Sequence, residues 1–186
     1  ENVRKLYDQY TKLIPNDVRG WVMYAQFEYQ ENNVQKARDL FEEAIESEQV
    51  EKIDHLWAYY IQFETETGNV ENIRKLYRRS ISANNKLSLW KGFIYLEAEN
   101  CNDIDEARKL FDEAELSFAE DREEKKKLRE FRVVFEERYG DVESRKEAED
   151  KLPKVNEDGT LLFPEEDEAS RMNILEAANA WGLENA

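Results

Sequence analysis

The chain has one cysteine and one histidine among its 186 residues, and it also has few glycines and prolines. A single cysteine excludes an internal disulfide, and we assign Cys101 no redox role. A metal cluster or a Cys-His nucleophile built on His55 would need Cys101, which lies far away in the sequence. The sequence therefore predicts no catalytic residue, no bound metal and no cofactor, and it argues against an enzyme.

Long apolar runs and positive charge are also lacking. No apolar stretch is long enough to cross a membrane, so no membrane association is expected. The 43 Asp and Glu residues outnumber the 27 Lys and Arg residues, which gives a net charge of -16. Such a surface repels phosphate backbones, so we expect little or no direct nucleic-acid binding and a preference for basic protein partners. The alternative is that the charge only keeps a long helical surface soluble.

An eight-residue motif that occurs three times organises the chain. It reads WVMYAQFE at 21–28, WAYYIQFE at 57–64 and WKGFIYLE at 90–97. In each copy, large apolar side chains at i, i+3 and i+6 share one face of a helix. We assign these nine positions to packing between helices rather than to ligand binding: Trp21, Tyr24, Phe27, Trp57, Tyr60, Phe63, Trp90, Phe93 and Leu96.

A second motif follows each copy of the first after a short polar break. Its apolar, small or apolar, and aromatic positions recur at 34–41, 70–77 and 104–111, and a further copy opens the chain at 3–7. The tryptophans recur roughly every 35 residues, a period typical of stacked helical hairpins. The residues that precede the second helices are predicted N-caps, namely Asn33, Asn69 and Asp103.

Together the two motifs resemble the HAT (half-a-TPR) repeat, a relative of the tetratricopeptide repeat found in RNA-processing scaffolds. The resemblance implies an all-α fold, a right-handed α-solenoid of antiparallel helix hairpins. The expected array covers 1–151, with a partial repeat at 1–15, hairpins at 18–47, 53–83 and 86–119, and a degenerate capping hairpin at 121–151. Residues 152–186 are expected to form a linker and a C-terminal docking helix at about 168–181. We expect the chain to begin inside a repeat of a longer array.

Each hairpin also contains one glutamate and one arginine at matching positions. We expect partly buried ion pairs between the two helices of each hairpin, which fix register more than they add net stability. The expected pairs are Glu28 with Arg38, Glu64 with Arg74, and Glu97 with Arg108. The mixed-charge run from Glu120 to Glu130 is predicted to be a solvated helix face.

The end of the chain narrows the resemblance. The segments FEERYGD at 135–141, LFPEED at 162–167 and NILEAANAW at 173–181 are similar to the carboxyl end of the crooked neck family of splicing factors. Those proteins are long HAT-repeat scaffolds of the spliceosome, within the NineTeen complex. The resemblance implies a nuclear protein-protein interaction scaffold in pre-mRNA splicing, with other spliceosomal or RNA-processing proteins as partners. Partner-binding residues are expected in the tail, at Phe163, Pro164, Ile174, Leu175 and Trp181, and homodimer formation stays open.

Two other functions stay open at this point. A HAT scaffold of mRNA 3′-end cleavage or of rRNA processing would have the same repeats, and only the tail favours splicing. A TPR-type peptide-binding co-chaperone module would clamp a peptide's terminal carboxylate with cations from successive first helices. Arg19 and Lys91 are the cations at such positions, and two of them alone do not make this clamp.

Overall fold

The computed structural model describes residues 2–47 and 53–166. In these ranges the fold is all-α apart from one small β-hairpin, which confirms the predicted fold class. The elements are α1 (Asn2–Leu13), α2 (Val18–Gln30), α3 (Val34–Glu46), α4 (Ile53–Thr67), α5 (Val70–Ala83), α6 (Leu87–Tyr95) continued by a π-helical turn (Leu96–Asn100), α7 (Ile104–Ser117), α8 (Arg122–Tyr139), α9 (Val142–Asp150), β1 (Lys154–Val155) and β2 (Leu161–Leu162).

Polar side chains cap several of the helices, although one predicted cap is wrong. Asn69 and Asp103 each accept a hydrogen bond from the backbone N–H three residues further on, as predicted. Asn33 makes no such bond. Its side-chain amide instead donates to the carboxylate of Glu28 at 2.8 Å. The side chain of Asn33 therefore binds the buried carboxylate of Glu28 on α2 instead of capping α3.

The described residues up to Leu89 belong to one compact unit. In this unit α2 packs against α1, α3 and α4, and α4 also packs against α3 and α5. The ring of Phe41 on α3 stacks on the ring of Tyr60 on α4, with centroids 4.8 Å apart and planes 7° apart. Ala37, which also lies on α3, is fully buried. The first-motif and second-motif residues thus form one line of apolar contacts from helix to helix.

The second unit begins at Trp90. Here α7 packs against the π-helical turn and α8, and α8 packs against α9. Phe111 on α7 lies against Phe131 and Phe135 on α8, with ring centroids 5.1 Å apart in both contacts. The hairpin of α8 and α9 has no tryptophan, and its aromatic residues supply the core instead.

The π-helical turn absorbs an extra residue of the third hairpin. One more residue separates Trp90 from Ile104 than separates Trp57 from Val70. The N–H of Cys101 donates to the carbonyl of Leu96, five residues earlier, at 3.1 Å. Such a wider turn accommodates a single inserted residue without ending the helix, so the motif positions on either side keep their packing roles.

The segment after α9 is more ordered than the predicted linker. β1 pairs antiparallel with β2, so that Lys154 lies opposite Leu162 and Val155 opposite Leu161. Gly159 in the connecting turn has φ of 84°, which glycine adopts without strain. We call residues 154–166 the strap. The predicted helix at 168–181 lies outside the described residues.

Candidate functional site

The repeat-packing positions are largely buried. Trp21, Trp57 and Trp90 are 5%, 3% and 4% exposed. Trp21 also donates its Nε1 hydrogen to the carbonyl of Pro15 at 2.9 Å. The second and third positions of each motif are buried as well, except Phe27, which is half-buried: Tyr24, Tyr60, Phe63, Phe93 and Leu96.

The arginine and glutamate positions make ion pairs, but with different partners from those expected. Arg38 on α3 binds Glu64 on α4, with nitrogen-oxygen distances of 2.6 and 3.1 Å, and not Glu28. Arg4, Arg38 and Arg108 each bind the glutamate of the first helix that follows, so these pairs join consecutive repeats. For Arg38 and Arg108, the expected partners within the hairpin, Glu28 and Glu97, are therefore wrong, whereas the expected pair of Glu64 with Arg74 stays a prediction. The other pairs of this kind are Arg4 with Glu28, at 2.8 and 3.1 Å, and Arg108 with Glu136, at 3.0 and 2.8 Å.

The carboxylates of Glu28 and Glu136 are buried and held ionised. Burial by itself raises the pKa of Glu28, but the hydrogen bonds from Arg4 and Asn33 outweigh it and lower the pKa below its ordinary value. Burial also raises the pKa of Glu136, but the hydrogen bonds from Arg108 outweigh this effect and lower the pKa below its ordinary value. Removal of one partner would leave an uncompensated buried charge and would destabilise the fold. These pairs therefore favour the observed order of helix packing.

The strap lies against one face of α8. Its Phe163 ring is 1% exposed and has three cations around it. The Cζ atom of Arg122, the Nζ atom of Lys125 and the Cζ atom of Arg129 lie 5.1, 4.8 and 4.9 Å from the ring centroid. These are cation-π distances. We call Arg122, Lys125 and Arg129 the α8 cation face.

This contact changes the interpretation of Phe163. The sequence predicted a partner-binding residue, whereas the structure buries the ring within the chain's own α8 contact. Pro164 beside it is half-buried. The remaining predicted tail residues, Ile174, Leu175 and Trp181, lie outside the described residues.

Two strap carboxylates bind the same three cations. Glu165 accepts from Lys125 at 2.9 Å and from Arg129 at 2.8 Å. Glu166 accepts from both terminal nitrogens of Arg122, at 2.6 and 2.8 Å. Burial raises the pKa of Glu165, but the hydrogen bonds from Arg129 and Lys125 outweigh it and lower the pKa to about 2. The hydrogen bond from Arg122 lowers the pKa of Glu166.

Arg129 is the most enclosed of the three cations. Its side chain is 5% exposed. It also donates to Glu115 on α7 and to the carbonyl of Lys151 at 2.6 Å. Through these hydrogen bonds, Arg129 on α8 contacts α7, the residue after α9 and the strap.

The sequence contained a signal for this face that the prediction of a solvated run overlooked. Arg122, Lys125 and Arg129 have the i, i+3, i+7 spacing that places side chains on one side of a helix. The neighbouring Lys127 lies on the opposite side of the helix, toward Glu124, and Lys126, at the edge of the face, pairs with Glu130. Periodicity separates Lys127 from the α8 cation face, whereas the local composition of the run does not.

An apolar groove lies between α1 and α2 in the first unit. Its volume is about 570 Å³. Val3, Leu6 and Met23 line it with side chains that are about half exposed or more, at 46%, 64% and 53%. Exposed apolar clusters of this kind are common at protein-protein interaction surfaces.

Within residues 2–47 and 53–166, no three His, Cys, Asp or Glu side chains are grouped so that they could hold a metal ion. Among the helices in that part of the chain, none combines the length and the apolar character that crossing a bilayer requires.

Helical hairpins in sequence, a buried tryptophan in each of three motifs and arginine-glutamate pairs between neighbours define an α-helical repeat protein. Residues 1–88 match the family described as PRP39 N-terminal HAT repeat. The chain is similar to Crooked neck-like protein 1 of Dictyostelium discoideum, with 25% identity over 226 aligned residues, 96% of this chain and 32% of that protein. It is also similar to pre-mRNA-splicing factor CLF1 of Yarrowia lipolytica, with 30% identity over 221 aligned residues, 100% of this chain and 33% of that protein. The chain thus spans about a third of the length of these relatives.

Proposed function

We propose that the chain is a protein-protein interaction scaffold in pre-mRNA splicing. The observation that carries the proposal is the similarity of the whole chain, at 30% identity, to a protein named as a pre-mRNA-splicing factor. The fold suits the role, because hairpins that contact only their neighbours present an extended surface for other proteins. The finer part of the proposal is a place in a nuclear spliceosomal complex of the NineTeen type. It is supported by the likeness of the tail segments to the crooked neck family.

The charge of the chain supports protein rather than nucleic-acid partners. A net charge of -16 opposes binding to a phosphate backbone over distances comparable to the Debye length. We propose that the partners are other spliceosomal proteins and that this segment makes little or no direct contact with RNA.

The co-chaperone alternative gains no support from the geometry. Lys91, one of its two candidate cations, has its Nζ atom 4.9 Å from the centroid of the Phe131 ring. The Nε atom of Arg19, the other cation, lies 3.3 Å from the Oδ1 atom of Asp17, with which it forms an ion pair. Both side chains therefore have a contact within the chain, although Arg19 is still 84% exposed, and two cations alone do not make this clamp.

Affinity capture from nuclease-treated nuclear extract tests the proposal. The full chain, tagged at its N-terminus, is compared with a chain that ends at Glu166 and so keeps every described helix and the strap. We expect the full chain to recover core splicing proteins that are identified by mass spectrometry. Recovery of 3′-end cleavage or nucleolar proteins instead would keep the scaffold role and reject splicing, and recovery of chaperones alone would favour the co-chaperone module. Loss of the splicing proteins from the shorter chain would place the contact in residues 167–186.

A further inference from the structure

The α8 cation face and the strap have the geometry of a receptor and its ligand. Every functional group of the short segment at 163–166 has a partner on α8: the ring contacts three cations, and each of the two carboxylates binds one or two of them. Without the strap, Arg122 and Lys125 would lose the carboxylates that they bind, whereas Arg129 would keep Glu115. The carboxylates of the strap balance the charge of the α8 cation face.

The contact is concentrated in a few residues of the strap. Leu161 and Phe163 are its buried side chains, and Arg122 also donates to the carbonyl of Leu161. The rest of the strap is on the surface: both residues of β1 are exposed, with Val155 at 61%, and so are residues 156–160. The segment that binds α8 is therefore a short linear motif joined to α9 by an exposed hairpin.

We propose that the α8 cation face is a binding site for a peptide in which an aromatic residue is followed, two and three positions later, by carboxylates. Residues 161–166 fill this site as an internal ligand, and a partner protein that carries the same motif displaces them. The proposal does not rest on the role in splicing. It names a surface and the chemistry of the segment that the surface takes.

Two features make the site selective. The ring is needed because it contacts all three cations, and with the strap in place the side chains of Arg129 and Lys125 are only 5% and 17% exposed. The acidic groups are needed because the surface around the ring is cationic. A purely acidic polymer lacks the ring and a purely apolar peptide leaves Arg122 and Lys125 without carboxylates, so neither satisfies the site.

A binding measurement with the full chain tests the proposal. The probe is a fluorescein-labelled peptide of residues 158–166, Asp-Gly-Thr-Leu-Leu-Phe-Pro-Glu-Glu, and the receptor is the Phe163→Ala chain, whose own strap lacks the ring. We expect the probe to bind this variant about tenfold more tightly than the parent, because a tethered ligand competes at an effective concentration near the millimolar range. Fluorescence anisotropy gives both affinities.

Two controls separate recognition from general attraction. A probe with alanine in place of its phenylalanine should not bind. In the Phe163→Ala background, Lys125→Glu should abolish binding, whereas Lys127→Glu, the same charge change two residues away and on the opposite side of the helix, should leave it within about twofold. Equal binding to parent and variant, equal loss with both lysine changes, or binding of the probe without its ring would each overturn the proposal.

A second variant covers the case in which Phe163→Ala does not fold, which circular dichroism would reveal. The Glu165→Gln/Glu166→Gln chain keeps the ring and weakens only the ionic part of the internal ligand. The unmodified probe should bind it more tightly than the parent. Failure of the probe to bind a folded chain of either kind means that the strap is only a structural element of α8.

Discussion

Arg38 on α3 and Glu64 on α4 form an ion pair with two hydrogen bonds, and the carboxylate is 1% exposed. The two residues belong to consecutive hairpins. The bond therefore stabilises the interface between two repeats, and its loss should weaken that interface more than either hairpin alone.

Replacement of Glu64 by glutamine should strongly destabilise the chain. The guanidinium of Arg38 would lose its charged partner at a site where it is 23% exposed, and the expected loss of unfolding free energy is about 3 kcal/mol. In a double-mutant cycle, Glu64→Gln with Arg38→Met should cost about 1–3 kcal/mol less than the sum of the single changes. Urea unfolding followed by circular dichroism gives the four free energies.

The matched control is an exposed pair on α5. Glu71 and Lys75 lie 3.7 Å apart with side chains 65% and 66% exposed, so Glu71→Gln should change the unfolding free energy by less than about 0.5 kcal/mol. Additive behaviour of Arg38 and Glu64, or a loss at Glu64 as small as the loss at Glu71, would contradict the inter-hairpin role.

Asparagine to aspartate changes at two equivalent positions should have different effects. Asn33 donates to the buried carboxylate of Glu28, so Asn33→Asp places a second negative charge there and should cost about 1–3 kcal/mol. Asn69 accepts a backbone hydrogen bond, which aspartate also accepts, so Asn69→Asp should stay within about 0.5 kcal/mol of the parent. Thermal unfolding of the two single variants compares them directly, and equal melting temperatures would show that the Asn33 contact is not formed.

Gly140→Ala should disturb the ion pair between Arg108 and Glu136. A Cβ atom at this position would lie 2.8 Å from the carbonyl oxygen of Glu136 and closer still to that residue's carboxylate and to the Ser144 hydroxyl. We expect a loss of about 1–3 kcal/mol from overpacking. The loss should shrink in an Arg108→Met background, where the carboxylate no longer has to stay in place. Urea unfolding measures both, and an unchanged loss would assign the cost to the contacts with the Glu136 carbonyl and the Ser144 hydroxyl.

The docking of the strap should depend on pH in the acid range. The pKa of Glu165 is lowered from 4.5 to about 2 in the folded chain, so the stability that this ionised carboxylate contributes is complete above about pH 4.5 and is lost as the pH falls toward about 2. The signal of 4-fluorophenylalanine at position 163, followed by ¹⁹F NMR at low protein concentration, should report release of the ring across that window.

The control for this titration is Glu165→Gln. Glu166 and Glu115 also bind cations of the α8 cation face, so only the difference between parent and variant reports on Glu165. The variant should show a weaker dependence on pH between about 4.5 and 2. Identical profiles would mean that other carboxylates control the release.

The repeats could be predicted from the sequence because their apolar residues recur periodically. Trp21, Trp57 and Trp90 and the residues three and six positions after them mark one helix face, and periodicity predicts a face reliably. The same periodicity does not say which neighbouring helix that face meets. The sequence therefore predicts the correct kind of contact for Arg38, an ion pair with a motif glutamate. It predicts the wrong partner, Glu28 of the same hairpin instead of Glu64 of the next.

Two other features could not be predicted from local pattern. Asn33 and Asn69 occupy the same position in the repeat, five residues after a buried glutamate, yet only Asn33 donates to that glutamate, because Glu64 accepts from Thr67 and Asn72 instead. The two-residue strands at 154–155 and 161–162 are too short to show alternation. Their pairing follows from the turn at Gly159 and from the contact of Phe163 with α8, which is made across about 40 residues of sequence.

The offset of the ion pairs has a consequence for how such a chain changes in length. A hairpin that follows this pattern supplies one anion toward the helix before it and one cation toward the hairpin after it, as α2 and α3 do with Glu28 and Arg38. Duplication or deletion of one whole hairpin therefore leaves no buried charge without a counterpart at the new junction. Loss of a single helix would leave one. The charge pattern thus permits evolution by whole repeats and opposes gain or loss of half of one.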